Sequence, residues 1–110
     1  MITATDITQT TDTDVYTSSG ESGITTLLIC NHHASTDAIV NVYVVPSAGT
    51  VGTSNQILKN LTIVAGDTFV MDMEKLILDD GDAIVVQSNV GAPGASIINT
   101  VISSMAISTP

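Results

Sequence analysis

The densest group of chemically capable residues in this chain is Asp79-Asp80-Gly81-Asp82. Carboxylates clustered on a turn are hard oxygen donors, the ligand type that calcium takes. The spacing does not follow the helix–loop–helix calcium loop, and no distal glutamate stands where that loop needs one. An Asp-Gly pair between two apolar runs is also a strong hairpin signal, and aspartates in such turns bond nearby backbone N–H groups. The hairpin is the preferred reading, and neither a metal nor a cofactor is expected. His32 and His33 are adjacent. In an extended segment neighbours point to opposite faces, so the pair does not chelate one ion unaided. Asp37 is a possible outside ligand, but the pattern is no zinc signature, and the histidines are expected on an exposed turn. Cys30 lies two residues before His32, inside an apolar run, and reads as a small buried hydrophobe rather than a nucleophile. Serines are plentiful, yet none has a G-x-S-x-G setting. Met71, Met73 and Met105 read as core filling rather than as an adaptable binding surface. Gly91-Ala92-Pro93-Gly94 is a turn, not a phosphate loop. No catalytic residue is assigned, and the chain is not expected to be an enzyme.

The elements that hold these residues are short and β-branched. Ile24 to Asn31 reads as a strand, with Ile24, Thr26, Leu28 and Cys30 on one face and Thr25, Leu27 and Ile29 on the other. Both faces are apolar, which predicts burial on both sides. After the polar turn His32 to Asp37, Ala38 to Val45 is the next strand, and Pro46 stops it because proline donates nothing to a ladder. Ser47 to Asn55 is a surface loop. Ile57, Leu58, Leu61 and Ile63 mark a third strand with a bulge near Lys59-Asn60. Ala65-Gly66-Asp67 turns the chain into Thr68 to Met73, and Glu74-Lys75 breaks that run. Leu76 to Leu78 and Ala83 to Gln87 flank the acidic turn. A helical turn over Met71 to Leu78 fits the neighbouring strands less well. Ser88 to Gly94 is a loop, and Ser96 to Ile107 is a last strand long enough to need a bulge or bend.

The first twenty residues are rich in Thr, Asp and Ser, with Ile2, Ile7, Val15 and Tyr16 as apolar anchors. They read as an extended arm with one or two short strands, held against a partner or against the sandwich edge. The expectation is therefore an all-β chain: one antiparallel β-sandwich, jelly-roll-like, over residues 23–110, with an N-terminal arm over 1–22.

Composition narrows the partners. A chain of 110 residues suits one domain. Two lysines, no arginine and a formal charge of −9 leave nothing with which to build a phosphate-binding or anionic-lipid-binding surface, so neither nucleic acid nor membrane is expected. Met1 to Asp6 has no basic flank and no apolar stretch, so no signal peptide is expected.

Taken in order, Ile24-Thr25-Thr26-Leu27-Leu28-Ile29-Cys30-Asn31, Val40-Asn41-Val42-Tyr43-Val44-Val45-Pro46-Ser47, Ile63-Val64-Ala65-Gly66-Asp67-Thr68 and Leu76-Ile77-Leu78-Asp79-Asp80-Gly81-Asp82-Ala83-Ile84, followed by a β-rich segment through Val101 to Ile107, form a familiar pattern. It resembles small β-sandwich virion structural proteins of tailed bacteriophages over about residues 24 to 107. The resemblance implies a structural part of the particle: a multicopy capsid decoration (cement) protein in the first place, a neck or tail adaptor in the second. It brings no catalytic residues. A receptor- or carbohydrate-binding module of a tail fibre is the other alternative, with its site in the loops after Pro46 and Ser88. The expected partners are copies of the chain itself, as a dimer or trimer, and a capsid or tail protein. The expected place is the virion, assembled in the bacterial host cytoplasm. Ile2, Ile7, Val15 and Tyr16 of the arm, with Val51 in the loop between Ser47 and Asn55, are the candidate contact residues.

Overall fold

The computed structural model describes residues 1–7, 12–89 and 98–107, with the side chains of 73–75 outside that description. Alternating apolar and polar residues with a period of two put one side of each strand toward the interior. Eight strands result: β1 Ile2–Ile7, β2 Thr13–Thr17, β3 Ser22–Asn31, β4 Ala38–Val45, β5 Gln56–Ile63, β6 Thr68–Leu78, β7 Ala83–Ser88 and β8 Ile98–Ala106, with a 3-10 turn at Thr53–Asn55. They form two four-stranded antiparallel sheets, ordered β1-β8-β3-β6 and β2-β7-β4-β5. This order, with the chain passing back and forth between the sheets, is the two-sheet winding of a jelly roll.

The core lies between the sheets and is aliphatic. Ile24, Leu27, Ile29, Ile98 and Ile102 face it from one sheet, and Val40, Val42, Ile84 and Val86 from the other. Strands β1 and β2 lie along the sandwich edges, where β1 pairs with β8 and β2 pairs with β7. Ile7, Val15 and Tyr16 of this N-terminal part belong to the same core cluster as the rest of the sandwich.

Two irregularities explain where the expected faces shift. In β3 the register slips between Ile24 and Thr26 against both neighbours. This bulge puts Ile24 on the same inner face as Leu27 and Ile29, all fully buried, and turns Leu28 and Cys30 outward, half-buried. Simple alternation had paired Ile24 with Leu28, and one extra residue reverses that. Cys30 is consequently not a core residue. In β5 the expected bulge is present at Asn60, whose φ of 53° lies in the left-handed region that Asn tolerates. The Asn41 Oδ1 accepts the Asn60 N–H at 2.8 Å and the Gln56 Nε2 at 3.1 Å, which fixes the kink. Residues 68–78 form one strand with an uneven register opposite Thr26 to Ile24 rather than two short ones, and no helical turn. The loop expected from Ser88 to Gly94 and the start expected for the last strand at Ser96 lie largely outside the described residues.

Candidate functional site

The acidic turn is the first test of the candidate chemistry. Among the described residues, each of its bonded carboxylate oxygens meets a backbone N–H. Asp80 Oδ1 accepts from Gly20 N at 2.8 Å, Asp82 Oδ1 from Ser47 N at 2.9 Å and Asp82 Oδ2 from Asp79 N at 2.9 Å. The Ser18 N–H donates to the Asp82 carbonyl, and the Gly81 N–H to the Ser18 carbonyl. The turn therefore braces two neighbouring loops, one after β2 and one after β4. Gly81 makes the brace possible. Its φ is 87°, and a Cβ there would stand 2.5 Å from the Ser47 Oγ. No group of three or more His, Cys, Asp or Glu side chains converges on a metal-sized site among the described residues.

The histidine segment is also built for structure. The fully buried Asn31 donates through Nδ2 to the carbonyls of Thr36 at 2.8 Å and Ile63 at 2.9 Å, and its Oδ1 accepts the His33 N–H at 3.1 Å. The His33 Nδ1 accepts the N–H groups of Ser35 and Thr36. His33 spends that nitrogen on its own turn. His32 is exposed.

Of the candidate contact residues, three are withdrawn. Ile7, Val15 and Tyr16 are buried within the chain's own core, because β1 and β2 supply inward-facing positions to the two sheets. The Tyr16 hydroxyl donates to Ser22 Oγ at 2.9 Å inside the fold. Ile2 remains exposed at the outer edge of β1, and Val51 packs half-buried on the outside of the second sheet.

The structure brings together two surfaces that the arm-and-loop reading did not locate. The first is the outer face of the β1-β8-β3-β6 sheet. The cross-strand register lines up Ala4, Val101, Leu28 and Val70 as one aliphatic row spanning all four strands. A second row holds Met105 and Ile77 on either side of Gly23, which has no side chain to separate them. Val70 is 60% exposed, Ile77 47% and Met105 48%. The intervening positions are mostly Ser, Thr, Asn and Cys, with Asp6 and Asp72 toward the outer strands. The alternation was visible in the sequence. The rows were not, because they depend on the β3 bulge and on strands distant in the chain.

The second surface is a cleft of about 240 Å³ on the outside of the β2-β7-β4-β5 sheet. Val45, Ala83 and Val85 make its floor, and Val51 of the loop after β4 belongs to the same small apolar cluster. Asp12, Asp14 and Thr17 stand along the β2 side, and Pro46, Ala48, Gly49 and Gly81 form the opposite rim. Tyr43 is buried beside it. Its hydroxyl donates to Gln87 Oε1 at 3.1 Å, and Gln87 Nε2 donates in turn to Asp12 Oδ1. A scan against protein-family models, a search of curated proteins and a search of solved structures each found no match for this chain.

Proposed function

We propose that this chain is a structural protein of a bacteriophage particle, and specifically a multicopy capsid decoration protein that strengthens the shell by protein–protein contact. The observation that carries the reading is the outward aliphatic row Ala4–Val101–Leu28–Val70 with Met105 and Ile77 beside it. Apolar area on a sheet face gains free energy when another surface covers it, at about 25 cal/mol per Å². The rest of the acidic surface repels other copies, so association is directed to these aliphatic rows, with Asp6 and Asp72 toward the outer strands. The pattern shared with small virion sandwiches supports the same role.

Size decides how such a protein adheres. Four strands about 4.8 Å apart and about nine residues long give roughly 580 Å² of flat face. A stable interface takes about 600–1,000 Å² from each partner. The face therefore falls short of a firm dimer by itself. A copy bound to a shell adds contacts to a capsid protein, and the two together reach the required area. The tail-fibre carbohydrate reading gains less support. The chain's aromatic rings are Tyr16, Tyr43 and Phe69, and none is exposed as a platform for a sugar.

The composition of purified particles tests this. In density-banded virions of the phage that encodes the chain, quantitative mass spectrometry is expected to find it in many copies per particle, at a fixed ratio to the major capsid protein. Banded particles without it contradict the proposal.

A further inference from the structure

We infer that the cleft between β2 and the loop after β4 is a socket for an arginine side chain presented by a different protein. This rests on the reading of the chain as one that docks on a neighbour, and it names the chemistry of that contact.

Size is the first argument. About 240 Å³ is enough for one long side chain. Pockets for drug-sized ligands or cofactors run to about 300–1,000 Å³, so the cleft lies below that class. Its chemistry is the second. The floor is aliphatic and one side is acidic. Asp12 and Asp14 are two residues apart on the β2 side, so an extended chain sends both to the same face. Asp12 gives one oxygen to Gln87, and Asp14 accepts no hydrogen bond from the described residues. A side chain with an apolar stem and a cationic head matches both halves at once. Arginine matches better than lysine, because its planar, weakly hydrated guanidinium lies on an apolar floor and forks toward carboxylates.

Charge identifies the donor of that side chain. This chain has no arginine, so a second copy does not supply one. Lys59 is on β5, at the far edge of the same sheet from β2. A net charge of −9 draws in a basic neighbour and repels an acidic one. The rim is also held in advance of binding. The Asp82 carboxylate holds the Ser47 N–H, and the Gly49 N–H donates to the Pro46 carbonyl at 2.8 Å across the left-handed Ala48. A preformed rim lowers the ordering cost of binding.

The test is a ¹⁵N–¹H chemical-shift titration of the full chain with N-acetyl-L-arginine methylamide. N-acetyl-L-citrulline methylamide, nearly the same shape without charge, is the control. Saturable shifts are expected at the amides of Asp14, Thr17, Ala83 and Val85. The citrulline probe, and the arginine probe on the Asp12→Asn/Asp14→Asn variant, are expected to bind about tenfold more weakly or worse. Both aspartates are exposed, and an unchanged spectrum away from β2 confirms that the variant is folded. No saturable shift at the cleft overturns the socket. So does equal binding of citrulline, unchanged binding by the variant, or shifts spread evenly over Asp67 and Asp79. The titration uses the isolated chain, so its failure removes the socket and leaves particle composition to judge the proposed function. A chain missing from particles that still binds arginine has the reverse meaning.

Discussion

Single residues in this protein show how polar side chains are used to shape loops rather than to react. Asn31 is fully buried and satisfies two carbonyls and one N–H. Asn31→Ala removes the bonds to the Thr36 and Ile63 carbonyls from inside the fold and releases the His33 turn. A loss of about 2–4 kcal/mol is expected, read as a lower midpoint in urea unfolding with an unchanged slope. Two left-handed positions near the cleft give opposite expectations. Gly81→Ala brings a Cβ to within 2.5 Å of Ser47 Oγ at a φ of 87°, and is expected to cost about 1–3 kcal/mol. Ala48 already sits at a φ of 63° with a Cβ. Ala48→Gly relieves that strain while adding freedom to the unfolded chain, for a net gain of about 0.5 kcal/mol. Thermal unfolding of the two variants side by side checks the signs. A stabilised Gly81→Ala would mean that the acidic turn does not brace the loop after β4 in the way described.

At the scale of strands, the bulge in β3 is the decisive local event. It makes Leu27 a core residue and Leu28 a surface one. Leu27→Ala is expected to cost about 2–5 kcal/mol of stability, and Leu28→Ala only about 1 kcal/mol. Urea unfolding of both separates them, and equal losses would contradict the register. Most of the strands were legible in the sequence, because alternation, Pro46, the Asp-Gly turn and the kink at Lys59-Asn60 are local signals. The sandwich class was legible for the same reason. The face of each β3 residue was not, since nothing in Thr25-Thr26 announces an extra residue. Burial of Ile7, Val15 and Tyr16 was hidden by composition: a Thr- and Asp-rich segment resembles a loose arm, although paired edge strands need only a few inward apolar side chains. The cleft was half legible. The loop after Pro46 was singled out, but Asp14 and Val85 come together only through the pairing of β2 with β7.

For the whole molecule, the proposal is that of an acidic sandwich, 49 Å in its long dimension, which adheres through the aliphatic rows of one sheet face. Val70 is well exposed at the edge strand of that face, so Val70→Lys leaves the core untouched and places a charge where apolar contact is expected. Its unfolding midpoint is expected to stay within about 0.5 kcal/mol of the parent. Its binding to phage particles is expected to weaken at least tenfold, since covering a lysine head at that position costs more than about 1.4 kcal/mol. The most direct measurement adds purified protein back to phage particles assembled without it and follows bound copies and resistance to heat. The account predicts saturable binding of the parent chain, a higher temperature of particle rupture, and little of either with Val70→Lys. Particles that rupture at the same temperature whether or not the protein is present, and that never take it up, would contradict it.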